Sequence, residues 1–168
     1  MGRTIFLRQG ISTIVVRARP GDRTKGLLQA GGSVFPCALG RGGITANKRE
    51  GDGGTPLGAM RLLSGYFRND HFRGGGTRLA MSPIGDALGW CEVPDDRNYN
   101  RPVKIPYDAC IVLDWNIRPR RRGRGSAIFF HLARPGFTPT QGCVAVTAKV
   151  MARLLPHLSS RTVMKVVR

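Results

Sequence analysis

Residues 127–143, AIFFHLARPGFTPTQGC, combine an apolar run, a histidine, a turn and a cysteine within 17 positions. The apolar run at 127–131 predicts a buried strand that ends in His131. Twelve residues later Cys143 follows Gln141 and Gly142, and glycine allows the backbone to turn sharply at that point. A strand, a tight turn and a cysteine in this order place two chemically reactive side chains close to one sheet edge.

The chain after Cys143 predicts a helix that begins directly after the cysteine. Thr147 is a suitable N-cap. Four apolar residues fall on one helical face before Pro156, namely Val150, Met151, Leu154 and Leu155. A cysteine at the N-terminal mouth of a helix lies near the positive end of the helix dipole, which favours its thiolate form.

The remainder of the chain predicts a β-rich protein. Its 23 glycines and 11 prolines suit many turns. The glycine-rich segment 40–58 is unsuited to a helix, and Gly21 marks a turn between strands. Short apolar or β-branched runs predict strands within residues 4–8, 13–18, 27–39, 60–67, 110–115 and 161–167, and the polar segment 68–76 predicts a loop. We therefore expect a mostly β fold, a sandwich or flattened barrel with one helix after the cysteine.

The charge balance is strongly basic, with 27 Lys and Arg against 10 Asp and Glu and a net charge of +17. Such a field attracts nucleic acid or a carboxylate-rich polymer. The basic run at 118–124 lies between two predicted strands and has no interleaved aromatic residues for base stacking. We interpret it as a solvated loop, and a non-enzymatic basic module that binds nucleic acid or wall polymer stays open as a rival hypothesis.

The four cysteines, Cys37, Cys91, Cys110 and Cys143, are far apart in the sequence. No CxxC pair or close Cys/His cluster is present, so a structural zinc site is not predicted. No apolar stretch has the length of a transmembrane helix, and the N-terminus lacks the apolar region of a signal peptide. With no repeats and no linker, we expect one domain over residues 1–168.

Cys143 and His131 form a candidate nucleophile and base. A histidine at a strand end can take a thiol proton, and amides around residues 141–143 can converge as an oxyanion hole. The alternative is structural, because buried cysteines are common and a histidine often completes a hydrogen-bond network. The spacing alone leaves both interpretations open.

Two motifs favour the enzymatic interpretation. Residues 131–135 (HLARP) with 140–144 (TQGCV) resemble the active-site signature of the YkuD-type L,D-transpeptidases, which is His-Gly, a variable stretch, then Ser-x-Gly-Cys-aliphatic-Arg. Residues 48–58 (KREGDGGTPLG) resemble the upstream Lys-x-Gly segment of that family, which ends in Thr-Pro-x-Gly. The resemblance spans about residues 34–155, most of the chain.

This resemblance implies roles for individual residues. Cys143 is the expected nucleophile, His131 the general base, and the Leu132 carbonyl the group that orients the imidazole. Amides of Gln141, Gly142 and Cys143 are the expected oxyanion hole. Thr140 stands where the family has serine and is expected either to hydrogen-bond within the site or to cap the turn.

The sequence departs from the family signature at two positions. Leu132 replaces the glycine after the histidine, and Ala145 replaces an arginine thought to meet a substrate carboxylate. Arg134 or Arg101 is the candidate replacement for that charge. The donor stem peptide of this protein is accordingly expected to differ from the usual tetrapeptide.

Residues 89–101 resemble a compact proteobacterial branch of the family that has the catalytic domain without accessory modules. The resemblance implies that Trp90, Tyr99, Asn100 and Arg101 line the stem-peptide groove, with Arg101 pairing a carboxylate. A structural loop around a packed Trp90 is the alternative.

The expected function is peptidoglycan L,D-transpeptidation of the 3-3 or 1-3 type through a cysteine thioester. The resemblance implies stem peptides as substrates, reaction with carbapenem-type inhibitors, no metal or organic cofactor, no nucleic-acid partner, and action in the periplasm or cell envelope. A carboxypeptidase, or an enzyme that exchanges D-amino acids on stem peptides, is the alternative within the same chemistry.

Overall fold

The computed structural model describes residues 10–68, 77–84, 97 and 109–168. These residues form the strands β1 (Thr13–Arg19), β2 (Asp22–Ala30), β3 (Ser33–Ala38), β4 (Ile44–Thr45), β5 (Thr55–Pro56), β6 (Gly58–Phe67), β7 (Met81–Pro83), β8 (Ala109–Leu113), β9 (Phe129–Leu132), β10 (Val144–Val146) and β11 (Val163–Val167). One α-helix, α1 (Ala148–Leu154), follows β10, and 3-10 helices occupy Pro135–Phe137 and Leu155–His157.

The main sheet closes on itself. Its strand order is β11-β1-β2-β3-β10-β9-β8-β6-β7, and β11 also pairs with the first half of β6. The ring from β11 to β6 is therefore continuous, and β7 lies outside it along the second half of β6. Closure removes the exposed edges that an open sheet presents. The expected mostly β fold, of flattened-barrel type with a helix after the cysteine, is confirmed.

Apolar side chains at alternate positions along the strands fill the interior of the barrel. In β1, Ile14 and Val16 are fully buried while Arg17 is exposed, and Leu28 of β2 lies opposite Val16. These side chains join Phe130 and Val144 in the principal hydrophobic cluster. Burying this apolar surface is the main stabilising term of such a barrel.

Helix α1 is amphipathic, as predicted. The Thr147 hydroxyl accepts a hydrogen bond from the Val150 N–H, which confirms Thr147 as the N-cap. Met151 and Leu154 are buried against the barrel, and the guanidinium of Arg153 lies 5.5 Å from the Phe35 ring centroid. The helix therefore packs against the sheet next to β3 and covers part of the hydrophobic core.

Most of the predicted strands are confirmed, with shifted ends. The turn at Gly21 joins β1 to β2, and Gly31 with Gly32 turns the chain between β2 and β3. The predicted strand at residues 4–8 lies outside the described residues, as does most of the predicted loop at 68–76.

Candidate active site

Strands β9 and β10 bring the two halves of the main motif together. They run parallel, with Val144 opposite Phe130 and Ala145 opposite His131. Since successive side chains alternate between the faces of a sheet, Cys143, Ala145 and His131 share one face, opposite the face of Phe130 and Val144. The predicted nucleophile and base therefore lie on neighbouring strands, on the outer face of the barrel.

The Cys143 thiol is held by two backbone groups. Its Sγ donates to the Ala127 carbonyl at 3.2 Å and accepts from the Phe129 N–H at 3.3 Å, and the residue is 5% exposed. Ala127 has a positive φ of 53°, which turns the chain immediately before β9. For this reason the strand begins at Phe129 rather than at Ala127. A backbone N–H directed at the sulfur stabilises the thiolate.

The expectation that Cys143 lies at the mouth of a helix is wrong. The three residues of β10 stand between the cysteine and α1, whose first residue is Ala148. The field of a helix end falls off within about one turn, so α1 has no direct electrostatic effect on the thiol. The sequence predicted that a helix end stabilises the thiolate, whereas in the structure the Phe129 N–H is directed at the sulfur.

His131 is buried and has one defined tautomer. Its Nδ1 lies 2.8 Å from the Leu132 carbonyl oxygen, and since a carbonyl can only accept, Nδ1 carries the proton. Burial lowers the pKa of His131 to about 4; the Leu132 hydrogen bond opposes this shift and the charge of Arg134 adds to it. At neutral pH the imidazole is therefore uncharged, with Nε2 as its basic nitrogen.

A second thiol faces the histidine. Cys110 of β8 lies opposite His131 of β9 and is fully buried. Burial raises the pKa of Cys110 to about 12, and the nearby Cys143 contributes to this rise. Cys37, inside the barrel, has a pKa raised by burial to about 12. Both thiols are therefore protonated at neutral pH, and Cys37, Cys110 and Cys143 are all free of disulfides.

The turn before Cys143 is braced by Thr140. Its hydroxyl donates to the Cys143 carbonyl at 2.6 Å and accepts from the Gly142 N–H at 3.1 Å. Thr140 thus does hydrogen-bond within the site. The Gly142 N–H, which the sequence motif predicted as an oxyanion donor, is thus engaged by this hydroxyl.

The second motif packs beneath this turn. Lys48 is 2% exposed and forms an ion pair with Asp52, whose carboxylate also accepts from the N–H groups of Arg49 at 2.7 Å and Gly54 at 2.8 Å. Burial raises the pKa of Asp52, but these hydrogen bonds outweigh burial and hold it below its ordinary value. The charged pair fixes the glycine-rich loop against Gly142.

A pocket of about 130 Å³ opens beside His131. Ala145 also lines it, and the other lining residues belong to the segment that connects β9 to β10: Ala133, Arg134, Thr138, Pro139, Thr140 and Gln141. The sequence motifs had already singled out His131, Arg134, Thr140 and Gln141, and the structure brings all four together here.

Arg41 is a residue of the site that the sequence motifs do not reveal. Its Nε donates to the Gln141 Oε1 at 2.9 Å, and its Nη2 donates to the Gly51 carbonyl at 2.9 Å. Gln141 lies 100 residues away in the chain, and no motif marks Arg41. The contact arises because the segments around Leu39 and Thr140 run side by side, with Thr140 N–H donating to the Leu39 carbonyl.

Several predicted residues lie outside the described part of the chain, namely Trp90, Cys91, Tyr99, Asn100 and Arg101. Within the described part, no group of three or more His, Cys, Asp or Glu side chains is arranged to hold a metal ion. No helix there is long and apolar enough to cross a membrane.

Comparison with known proteins identifies a family. The family model for YkuD, the L,D-transpeptidase catalytic domain, matches residues 13–167. A comparison with curated proteins finds no match.

The solved structures that this chain matches include three bacterial proteins. An L,D-transpeptidase from Mycobacterium tuberculosis H37Rv is 12% identical, with a TM-score of 0.47 over 95% of this chain and 59% of the solved one. L,D-transpeptidase 3 from Mycobacterium tuberculosis, in complex with a faropenem-derived adduct, is 14% identical, with a TM-score of 0.46 over 95% and 61%. The helical cell shape determining protein Pgp2 from Campylobacter jejuni is 14% identical, with a TM-score of 0.46 over 96% and 49%. The chain thus spans less than two thirds of the length of these proteins.

Proposed function

The chain belongs to the YkuD family of L,D-transpeptidase catalytic domains, and on that basis we propose that it crosslinks peptidoglycan stem peptides through a thioester on Cys143. The observation that carries the proposal is the register of β9 and β10, which puts Cys143 and His131 on one face of adjacent strands. A thiol on the same face of the sheet as a neutral, tautomerically fixed imidazole suits nucleophilic catalysis.

In the acylation step, Nε2 of His131 takes the thiol proton and the sulfur attacks a peptide carbonyl of the donor stem. A C–S bond forms, and the N–H groups of Gln141 and Cys143 stabilise the negative oxygen. When the intermediate collapses, the C–N bond breaks and His131 returns its proton to the departing amine. The Leu132 carbonyl keeps the imidazole in the required tautomer throughout.

In the second step, an amine from a neighbouring stem attacks the thioester. A new C–N bond forms, the C–S bond breaks, and the thiol regains its proton through His131. The product is a 3-3 or 1-3 crosslink, and Ala145 in place of the family arginine favours a donor other than the usual one. The net charge of +17 suits a carboxylate-rich polymer in the cell envelope. The groove residues Trp90, Tyr99, Asn100 and Arg101 remain proposals from the sequence.

The test is incubation of the wild type with purified muropeptide monomers, followed by mass spectrometry. Cys143→Ala and Cys110→Ala form a matched pair, because both remove a buried thiol from the same apolar cluster. We expect dimers from the wild type and from Cys110→Ala, and none from Cys143→Ala. Covalent labelling of the wild type by a carbapenem, absent in Cys143→Ala, gives a second readout.

Two outcomes contradict the proposal. Trimmed monomers without dimers indicate the carboxypeptidase alternative. Unchanged monomers, together with a thiol that the carbapenem does not label, contradict the enzymatic function altogether and favour a basic binding module.

A further inference from the structure

The basic run at residues 118–124, which we call the arginine loop, lies near the active site. It is part of the connection from β8 to β9, and the same connection contains Ala127, whose carbonyl accepts from the Cys143 thiol at 3.2 Å. Three fully extended residues span at most about 11 Å, so the Cα of Arg124 lies within about 11 Å of the Cα of Ala127. The charges of the loop are therefore close to the nucleophile, although the proposed reaction does not use them.

The two residues before the arginine loop hold its backbone in place. The Asn116 Nδ2 donates to the carbonyls of Arg121 at 3.0 Å and Gly125 at 2.8 Å, and the Asn116 Oδ1 accepts from the Arg121 N–H at 2.7 Å. The Trp115 Nε1 donates to the Arg124 carbonyl at 2.8 Å. The path of the loop is therefore fixed by side chains outside it, which leaves its arginine side chains to serve another purpose.

A second set of contacts joins the arginine loop to the motif at residues 48–58. The Glu50 N–H donates to the Gly123 carbonyl at 2.9 Å, and the Ser126 hydroxyl donates to the Glu50 carboxylate at 3.1 Å. Gly54 of the same motif packs against the turn before Cys143. The loop and the turn that presents the nucleophile are thus parts of one connected framework.

The arginine loop presents a dense positive charge to solvent. Guanidinium groups bind carboxylates and phosphates through paired hydrogen bonds. A fixed backbone reduces the conformational entropy that these groups lose when they bind a ligand. Four of the five arginines of the loop are exposed, namely Arg118, Arg121, Arg122 and Arg124.

The composition of the loop indicates which polyanion it fits. It contains no aromatic residue on which a base can stack, and Pro119 is its only apolar side chain that can enter a lipid bilayer. A hydrated polymer that carries carboxylates requires neither feature. Four extended residues span up to about 14 Å, so a stem peptide that reaches Cys143 brings the neighbouring stems of its polymer close to the loop.

We propose that the arginine loop docks the enzyme on polymeric peptidoglycan by binding free carboxylates of stems other than the one that reacts. The inference rests on the proposed function, because that function brings the polymer to Cys143. The loop is a binding surface and takes no part in bond formation. Asn116 is a positioning residue, since it holds the backbone from which the arginines extend.

The test measures binding to purified peptidoglycan sacculi that have been freed of attached phosphate polymers. The full chain carries Cys143→Ala, so that no reaction accompanies binding, and the readout is the Kd from cosedimentation at several salt concentrations. We expect the Kd to rise with salt. Conversion of the sacculus carboxylates to amides should raise the Kd at least about tenfold, because the charge that the arginines bind is then removed.

A pair of triple variants assigns this binding to the loop. The loop variant is expected to raise the Kd about tenfold, since it removes three exposed charges. The control variant removes three exposed charges from β1 and β11. Since three strands separate β1 from β9 in either direction around the ring, the control should keep the Kd within about twofold. The loop variant combines Arg118→Gln, Arg121→Gln and Arg122→Gln, and the control combines Arg17→Gln, Arg19→Gln and Lys165→Gln.

Asn116→Gly tests the fixed backbone without a change of charge. Asn116 has a positive φ of 51°, which glycine adopts readily. The variant loses the side-chain hydrogen bonds to Arg121 and Gly125, so the arginines lose more conformational freedom on binding, and the Kd should rise about threefold. A role of net charge alone predicts no change in this Kd.

The results separate this inference from the proposed function. If the loop and control variants bind sacculi alike, or if amidated sacculi bind as tightly as untreated ones, the docking surface is overturned, and dimer formation from muropeptides still supports the transpeptidase. Tighter binding to phosphatidylglycerol vesicles or to duplex DNA than to sacculi at the same salt also overturns it, because the loop then prefers phosphate. If sacculi bind through the loop but the wild type forms no dimers, the docking surface stands and the transpeptidase function is overturned.

Discussion

Gly142 packs directly against Gly54, so that a Cβ on residue 142 would lie 2.7 Å from the Gly54 carbonyl oxygen. Gly142 also has a φ of 131°, a conformation that side chains rarely adopt. The two motifs of the sequence are therefore in physical contact at the turn that presents Cys143. The glycine-rich loop contacts the residue that precedes the nucleophile, which explains why both motifs belong to one site.

Gly142→Ala is expected to abolish turnover and to lower the free energy of unfolding by about 2–4 kcal/mol, because backbone strain and overpacking both act. The measurements are dimer formation and urea unfolding. Gly21→Ala is the matched control, since Gly21 also has a positive φ but a Cβ on it would meet no atom within 4 Å. The control should lose about 1 kcal/mol and keep its activity. Equal effects at both positions would contradict the role of the Gly54 contact.

The Lys48–Asp52 ion pair is expected to act on the site through the glycine-rich loop. Lys48→Met removes the ammonium but keeps an apolar stem in its buried position, so Asp52 loses one partner and keeps the N–H groups of Arg49 and Gly54. We expect the free energy of unfolding to fall by about 1–2 kcal/mol. We also expect kcat to fall, because the loop that supports the turn before Cys143 is then held less firmly. Lys25→Met is the control, because its pairing with Asp22 is exposed. Unchanged kcat in Lys48→Met would contradict the prediction.

Stability is expected to decrease in acid through His131. Its pKa is about 4 in the folded protein, against 6.5 for an ordinary histidine, so the unfolded chain binds more protons between these values. The stability contribution is complete above about pH 6.5 and is lost as the pH falls towards the folded pKa. Between about pH 7.5 and about pH 5 the wild type should lose about 2 kcal/mol more than His131→Gln. Urea unfolding at both pH values measures this difference. If the free energy of unfolding changes equally with pH in the wild type and in His131→Gln, the pKa of His131 is not lowered in the folded protein.

The fold could be predicted where one face of a strand is buried. Strand β1 is a β-branched run in which buried residues alternate with partly exposed ones, and glycines mark the turns of the adjoining hairpins. Strand β10 could not be recognised in this way. It lies between β3 and β9 and all three of its residues are buried, so no alternation appears over so short a run. Missing β10 led to the wrong prediction that Cys143 lies at the mouth of the helix.

The site could be predicted in part for a related reason. His131 and Cys143 lie close in sequence and carry recognisable chemistry, whereas Arg41 reaches Gln141 only through the path of two loops. The groups that hold the Cys143 thiol, Ala127 and Phe129, do so with backbone atoms, which any residue possesses. Contacts made by backbone atoms do not require a particular residue type, so they cannot be predicted from the sequence and are seen only in the structure.

Thr140 provides a test of how the turn before Cys143 is held. Its hydroxyl joins the Gly142 N–H to the Cys143 carbonyl, at 3.1 Å and 2.6 Å. Thr140→Val has nearly the same shape but no hydroxyl, so it leaves both backbone groups without this partner, at a cost of about 1–3 kcal/mol.

Thr140→Ser retains the hydroxyl, and serine is the residue that the family signature has here. We therefore expect Thr140→Ser to keep turnover within about threefold of the wild type and Thr140→Val to lose at least about tenfold, because the misplaced turn also moves the oxyanion donors. The measurements are kcat for dimer formation and thermal unfolding of both variants. If valine and serine behave alike, the hydroxyl does not hold the turn, and the oxyanion site must be fixed by the Gly54–Gly142 contact alone.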